Sequence, residues 1–120
     1  MKIIKIEATK TTNLSKDPLM TGGEVEAKFL IGPDLSKELG MGILKFAPGA
    51  RTKFHTHTSD QLLYCIEGKG VVATEKEQTI ITAGTIVHFP AGEKHWHGAA
   101  KDSSFAHISI APPHKTIITE

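Results

Sequence analysis

Apolar residues in this chain fall in short, β-branched runs, broken by glycine, proline and polar turns. No stretch carries the 3.6-residue period of a helix of useful length. One short turn is expected from Asp34 to Leu39, entered through Gly32-Pro33 and stopped by Gly40. Short runs at a spacing of roughly 8–12 residues predict a β-sandwich or barrel. About ten strands are expected, near Lys2–Glu7, Glu24–Ile31, Met41–Phe46, Arg51–His57, Gln61–Glu67, Val71–Thr74, Thr79–Thr82, Thr85–Phe89, His95–Ala99 and Phe105–Ile110. Thr116–Thr119 adds a terminal edge strand. Gly68-Lys69-Gly70 reads as a hairpin turn and Glu75–Gln78 as another; Ala83-Gly84, Pro90-Ala91-Gly92 and Lys101–Ser103 mark further turns. Lys10–Gly23 is polar and reads as a surface loop. The terminal strands either pair with a second copy of the chain or close their own sheet, and the pattern allows both. The expected core and pocket walls come from Ile43, Leu44, Phe46, Phe54, Leu63, Ile66, Val71, Ile80, Ile86, Val87 and Phe89.

A length of 120 residues suits one domain, 1–120. Hydrophobic residues at 39% and charged residues at 22% read as soluble and globular. Fourteen Lys and Arg against thirteen Asp and Glu leave a net charge of +1, so there is no electrostatic case for nucleic acid or an anionic membrane. No apolar run approaches the ~20 residues of a membrane span, and Met1–Glu7 lacks the apolar stretch of a signal peptide. A cytoplasmic protein is the expectation. The single cysteine, Cys65, excludes an intrachain disulfide and a cysteine-rich metal site; it reads as a small core residue. The informative excess is histidine, seven in the chain.

His55-Thr56-His57 puts two imidazoles on one face of a strand, where they can converge on a metal ion. Gln61 follows after a turn-like Thr58-Ser59-Asp60. His95-Trp96-His97 is a second same-face pair. Gly49 precedes His55 by five intervening residues; Gln61 and Gly68 follow at fixed spacing. Later, Gly84 is followed by five residues, then Pro90-Ala91-Gly92, two residues and His95.

These two segments resemble the paired motifs of the cupin superfamily. Gln61 stands where that family usually has glutamate, and Ala99 where it has asparagine. The resemblance implies an all-β double-stranded β-helix, a jelly-roll barrel, with its motif-bearing core at about 41–111 and one divalent metal ion in the lumen. His55, His57, Gln61 and His95 take the four ligand positions by the motif. Imidazole and amide donors suit manganese, iron, nickel or zinc. A neutral glutamine leaves one more positive charge than glutamate does, which strengthens the ion as a Lewis acid and weakens the hold on it.

Phe46–Thr52, the two histidine pairs, Gln61 and Gly92–Ala100 look like small bacterial cupins with hydroxynitrile lyase activity. Those use a three-histidine, one-glutamine manganese site to cleave or form cyanohydrins. By that resemblance His107, His97 and Thr52 are pocket residues and manganese is the favoured ion; Ala111 departs from the glutamine the lyases carry there. Read from the residues alone, His97 is a pocket group or a packing histidine beside a ligand, and Thr52 bonds either a ligand or a neighbouring backbone group. Trp96 should face away from the histidines; His88 and His114 read as surface or packing residues. The reading is a metal-dependent small-molecule lyase, with His107 moving a proton. The alternatives are a metal-dependent dioxygenase and a non-catalytic ligand-binding cupin. The expected partners are a small-molecule substrate and further copies of the chain, in a homodimer or higher homo-oligomer.

Overall fold

The computed structural model describes residues 1–120. Its strands are Thr12–Asn13 (β1), Met20–Thr21 (β2), Val25–Ile31 (β3), Gly40–Phe46 (β4), Arg51–Thr52 (β5), His55–His57 (β6), Gln61–Thr74 (β7), Gln78–Thr82 (β8), Ile86–Phe89 (β9), His95–Ala99 (β10), Phe105–Ala111 (β11) and Thr116–Ile118 (β12). A single 3₁₀ turn, Ile6–Ala8, is the only helical element. One sheet runs β1-β3-β4-β11-β7-β9 and the other β2-β5-β10-β7-β8, with β6 beside β10 and β12 beside β6. All pairings are antiparallel. The two sheets curl over one core as the expected all-β jelly-roll barrel.

The expected hairpin at Gly68-Lys69-Gly70 is absent. β7 runs straight through it for fourteen residues and belongs to both sheets. Its first half pairs with β11 and β9, its second with β10 and β8. The glycines permit a bend rather than a reversal. Gly68 has φ +75°, and a Cβ there would run into the Ser104 carbonyl; at Gly70 a Cβ would strike the Phe105 ring. The start of β11 therefore packs where the strand changes sheets.

Two other expectations are corrected, and the open choice for the C-terminal strand is decided. Lys2–Glu7 forms no strand; the edge beside β3 is taken by β1, and Lys28 Nζ donates to the Ile6 carbonyl. Arg51–His57 divides at Lys53-Phe54, whose amides turn aside to Leu19 O and Glu120 Oε2. β12 pairs with β6 of its own chain, so neither terminal segment is a free strand seeking a partner.

The main core includes Val25, Phe46, Leu63, Cys65, Phe89 and Phe105. Ile66, Ile80 and Ile86, expected inside, are 38%, 62% and 63% exposed. Ile66 is one residue past the inward Cys65, so strand alternation turns it outward; a β-bulge then skips it, Glu67 pairing with Ala106 and Cys65 with His107. The inward face of β7 before the bulge presents Gln61, Leu63 and Cys65. Ile80 and Ile86 lie on β8 and β9, which pair on one side only. Trp96 does face away from the histidines, into a second cluster with Val71, Ala73 and Ala100, and the Arg51 guanidinium lies 4.0 Å over its ring.

Candidate metal centre

His55 and His95 are cross-strand partners on β6 and β10, and both are 1% exposed. Their ring centroids are 4.3 Å apart. His57, two residues along β6, lies 4.7 Å from His55 and 5.3 Å from His95. His97 follows His95 on the same strand face, and ring nitrogens of His55, His95 and His97 lie within 4.8 Å of one another. Gln61, at the start of β7, places its Oε1 3.1 Å from His57 Nε2, while its amide donates to Ser109 Oγ at 3.0 Å. The structure thus brings the four motif residues and His97 together inside the barrel.

Backbone geometry orients the rings. His55 Nδ1 donates to the Lys53 carbonyl at 2.7 Å, and His95 Nδ1 to the Glu93 carbonyl at 2.8 Å. A carbonyl only accepts, so each ring carries its proton on Nδ1 and a lone pair on Nε2. Both Nε2 atoms are buried without a hydrogen-bond partner. Phe89 stacks on His95 at 3.7 Å between centroids. Two buried lone pairs aimed into one space, with a third imidazole and an amide oxygen beside them, fit a divalent ion of the N,O-preferring class.

Burial sets the charge state. It lowers His55, pushes His57 down to about 3 with help from the neighbouring histidines, and pushes His95 down to about 4 against its bond to Glu93. His97 falls well below its ordinary value by burial and the nearby imidazoles, and burial takes His107 to about 4. All five rings are neutral near pH 7, the form that binds a metal.

His107 is fully buried on β11, with neither ring nitrogen bonded. Its ring meets His97 edge to face at 5.0 Å and lies against Phe46 and Phe105. Thr52, 1% exposed, accepts the His97 backbone N–H at 3.1 Å. Its hydroxyl therefore anchors β10 beside the histidines. A cavity of about 400 Å³ reaches this region through Leu44 and Ser109 and is walled by Phe29, Met41, Pro113 and His114. Leu44 is the cross-strand neighbour of His107. His88 is an exposed residue paired with Asp60.

Sequence reasoning assigned no site role to Ser109, His114 or Thr116. Ser109 carried a signal, because it shares a strand face with His107. His114 lies 4.6 Å from the His57 ring, and Thr116 Oγ1 lies 3.0 Å from His57 Nδ1. Neither has a local signature, since both contacts join segments far apart in the chain.

A 40% identical relative is an (R)-mandelonitrile lyase from Granulicella tundricola, matched over 65% of this chain and 60% of that enzyme. A dimethylsulfoniopropionate lyase from Ruegeria pomeroyi is 31% identical over 62% of this chain and 51% of that protein. An acireductone dioxygenase from Synechococcus is 31% identical over 48% of this chain and 35% of that enzyme. The chain therefore spans about 60% or less of the curated relatives it matches. A cupin-like protein of Thermotoga maritima has the same fold, with a TM-score of 0.77 and 28% identity over 96% of this chain and 87% of that one. A polyketide cyclase from Streptomyces resistomycificus, at 18% identity and a TM-score of 0.82, covers all of this chain with 87% of its own and shares the fold alone. The model of the cupin domain matches residues 42–111, from β4 through the last residue of β11 and across every histidine of the nest, and the chain belongs to that family.

Proposed function

We propose that this protein is a metal-dependent lyase for small hydroxyl-bearing substrates, of the kind that cleaves a cyanohydrin into an aldehyde and cyanide. The observation that carries the reading is the buried His97–His107 pair beside the metal-ligand histidines: three of its ring nitrogens are unpartnered, and the cavity reaches its neighbours. Binding alone does not require protonatable groups there. The 40% identical mandelonitrile lyase supports the choice of chemistry.

His55, His57, Gln61 and His95 are the proposed ligands, with manganese favoured. A bound divalent ion would supply a Lewis acid that polarises a substrate oxygen. The chain supplies the rest. The apolar cavity between Leu44 and Pro113 seats the carbon skeleton. His107 accepts the hydroxyl proton, the carbon–cyanide bond breaks as the carbonyl forms, and cyanide leaves with the bonding electron pair. His107 then returns the proton to cyanide, aided by His97. Thr52 keeps β10 in register for this exchange.

The test is cleavage of mandelonitrile by manganese-loaded protein, followed through benzaldehyde release. Turnover that disappears on chelation supports the reading. Oxygen consumption with small diketones instead would favour the dioxygenase alternative, and neither activity in fully loaded protein would favour a binding role.

We also propose a homodimer, formed through the outer face of the first sheet. Ile43, Ile108, Tyr64 and Ile86 make one cross-strand row there; Ile110 and Leu62 lie in the next. Leu62, Tyr64 and Ile86 are at least 40% exposed. The rows lie on four strands about 4.8 Å apart and offer roughly 250 Å² in plane. That compares with the ~800 Å² per partner of a standard interface, and a second copy of the same flat apolar face is its natural complement.

A further inference from the structure

His57 is held differently from the other motif histidines. His55 and His95 donate to carbonyls two residues back, which fixes their tautomers. The Nδ1 of His57 meets a hydroxyl instead, Thr116 Oγ1 at 3.0 Å, from a residue 59 positions downstream. Its Nε2 faces Gln61 Oε1 at 3.1 Å. The Gln61 amide nitrogen is committed to Ser109, so the oxygen facing His57 can only accept. In this arrangement Nε2 carries the proton and Nδ1 accepts from the Thr116 O–H. To offer a lone pair from Nε2 to a cation, the ring must carry its proton on Nδ1, and that N–H then needs an acceptor. A hydroxyl serves both states by rotating about its C–O bond; a carbonyl serves one.

Thr116 is placed for this by β12. It is the register partner of His57, and the strand is pinned by Thr58 N–H to Lys115 O and Lys115 N–H to Thr58 Oγ1. It also lies beyond residue 111, where the match to the family's model ends.

We infer that Thr116 is a positioning residue of the metal centre: the C-terminal strand clasps β6, and its hydroxyl lets His57 exchange a bond with Gln61 for a bond to a cation. The inference rests on the reading of the histidine nest as a metal centre. It makes β12 a working part of the site rather than a trailing edge. The magnitude follows from partners of ligand histidines elsewhere, whose loss weakens metal binding by about 10- to 100-fold.

The experiment measures manganese affinity by competition with a chelator for wild type, Thr116→Val and Thr116→Ser. Melting of each metal-free protein is recorded alongside. Thr116 is exposed and valine suits a strand, so Thr116→Val should fold, with its metal-free melting temperature lowered by no more than the loss of one hydrogen bond brings. The expected result is about 10- to 100-fold weaker manganese binding in Thr116→Val, with Thr116→Ser restored to near wild type. Wild-type affinity in Thr116→Val overturns the inference while leaving the metal centre intact. Equal losses in the valine and serine variants, tracking a lower metal-free melting temperature, also overturn it, since the strand and not the hydroxyl would then matter. A wild type that takes up no divalent ion overturns the metal-centre reading and this inference with it.

Discussion

His55 and His95 face each other across β6 and β10, 4.3 Å between ring centroids, and each is steered by the carbonyl two residues before it. The same local device on two antiparallel strands delivers two buried lone pairs to one point before any ion arrives. Such preorganisation reduces the ordering that an arriving ion must impose. It also makes the site costly to leave unfilled, because buried nitrogens without partners carry a desolvation penalty.

The first expectation concerns metal content. Purified protein should hold about one divalent ion per chain by elemental analysis, from the donor set of His55, His57, Gln61 and His95. Replacing His55 and His57 together with alanine should abolish it. Unchanged metal content in the double variant would refute the ligand assignment.

Gln61→Glu adds a negative charge within the ligand set. Manganese should leave the variant more slowly under chelator challenge, and cyanide or other anions should bind it more weakly. The side chain retains a partner, because Ser109 can donate to a carboxylate as readily as it accepts from the amide. Faster manganese loss from Gln61→Glu would contradict the electrostatic argument.

His107→Ala should keep full metal occupancy and lose about 10²–10⁴-fold in mandelonitrile cleavage, the usual worth of a general base. The base must be neutral to act. Burial holds it at about 4, so activity should be retained above that pH and fall as pH drops through it. The variant should lose this limb. Wild-type turnover in metal-loaded His107→Ala would place the base elsewhere.

Metal-free protein should be sensitive to mild acid. Burial depresses His57 to about 3 and His95 and His107 to about 4, whereas the unfolded imidazoles take up protons near 6.5. Between these values the unfolded state binds more protons. The stabilising contribution is therefore complete above about pH 6.5 and is lost as pH falls toward 4. Thermal unfolding in chelator at stepped pH measures it, and a melting temperature constant from pH 7 to 4.5 would contradict the assignment.

Tyr64→Lys and Ile86→Lys place charge on the outer face of the first sheet without touching the barrel interior. Sedimentation should show a dimer for wild type at tens of micromolar and a monomer for the double variant. A wild-type monomer, or a double variant that still dimerises, would remove that face as the interface.

The fold class and the histidine nest were legible in the sequence for local reasons. Strand periodicity puts His55 with His57 and His95 with His97 on shared faces, and the glycine and proline turns mark where the chain changes direction. Those rules act over two to six residues, so a linear pattern carries them. They failed where a distant segment decides the outcome. Gly68 and Gly70 look like a hairpin, yet Phe105 and Ser104 pack against them and the strand bends on into the second sheet. Ile66 and Glu67 are neighbours and both exposed, because a bulge opposite Ala106 and His107 interrupts the alternation there. Thr116 is an unremarkable threonine until β12 pairs with β6 and sets its hydroxyl against His57. Sequence alone determined which residues carry lone pairs and which faces they share. The tertiary structure decided which of them meet, because packing across strands is a property of neighbours the chain supplies from far away.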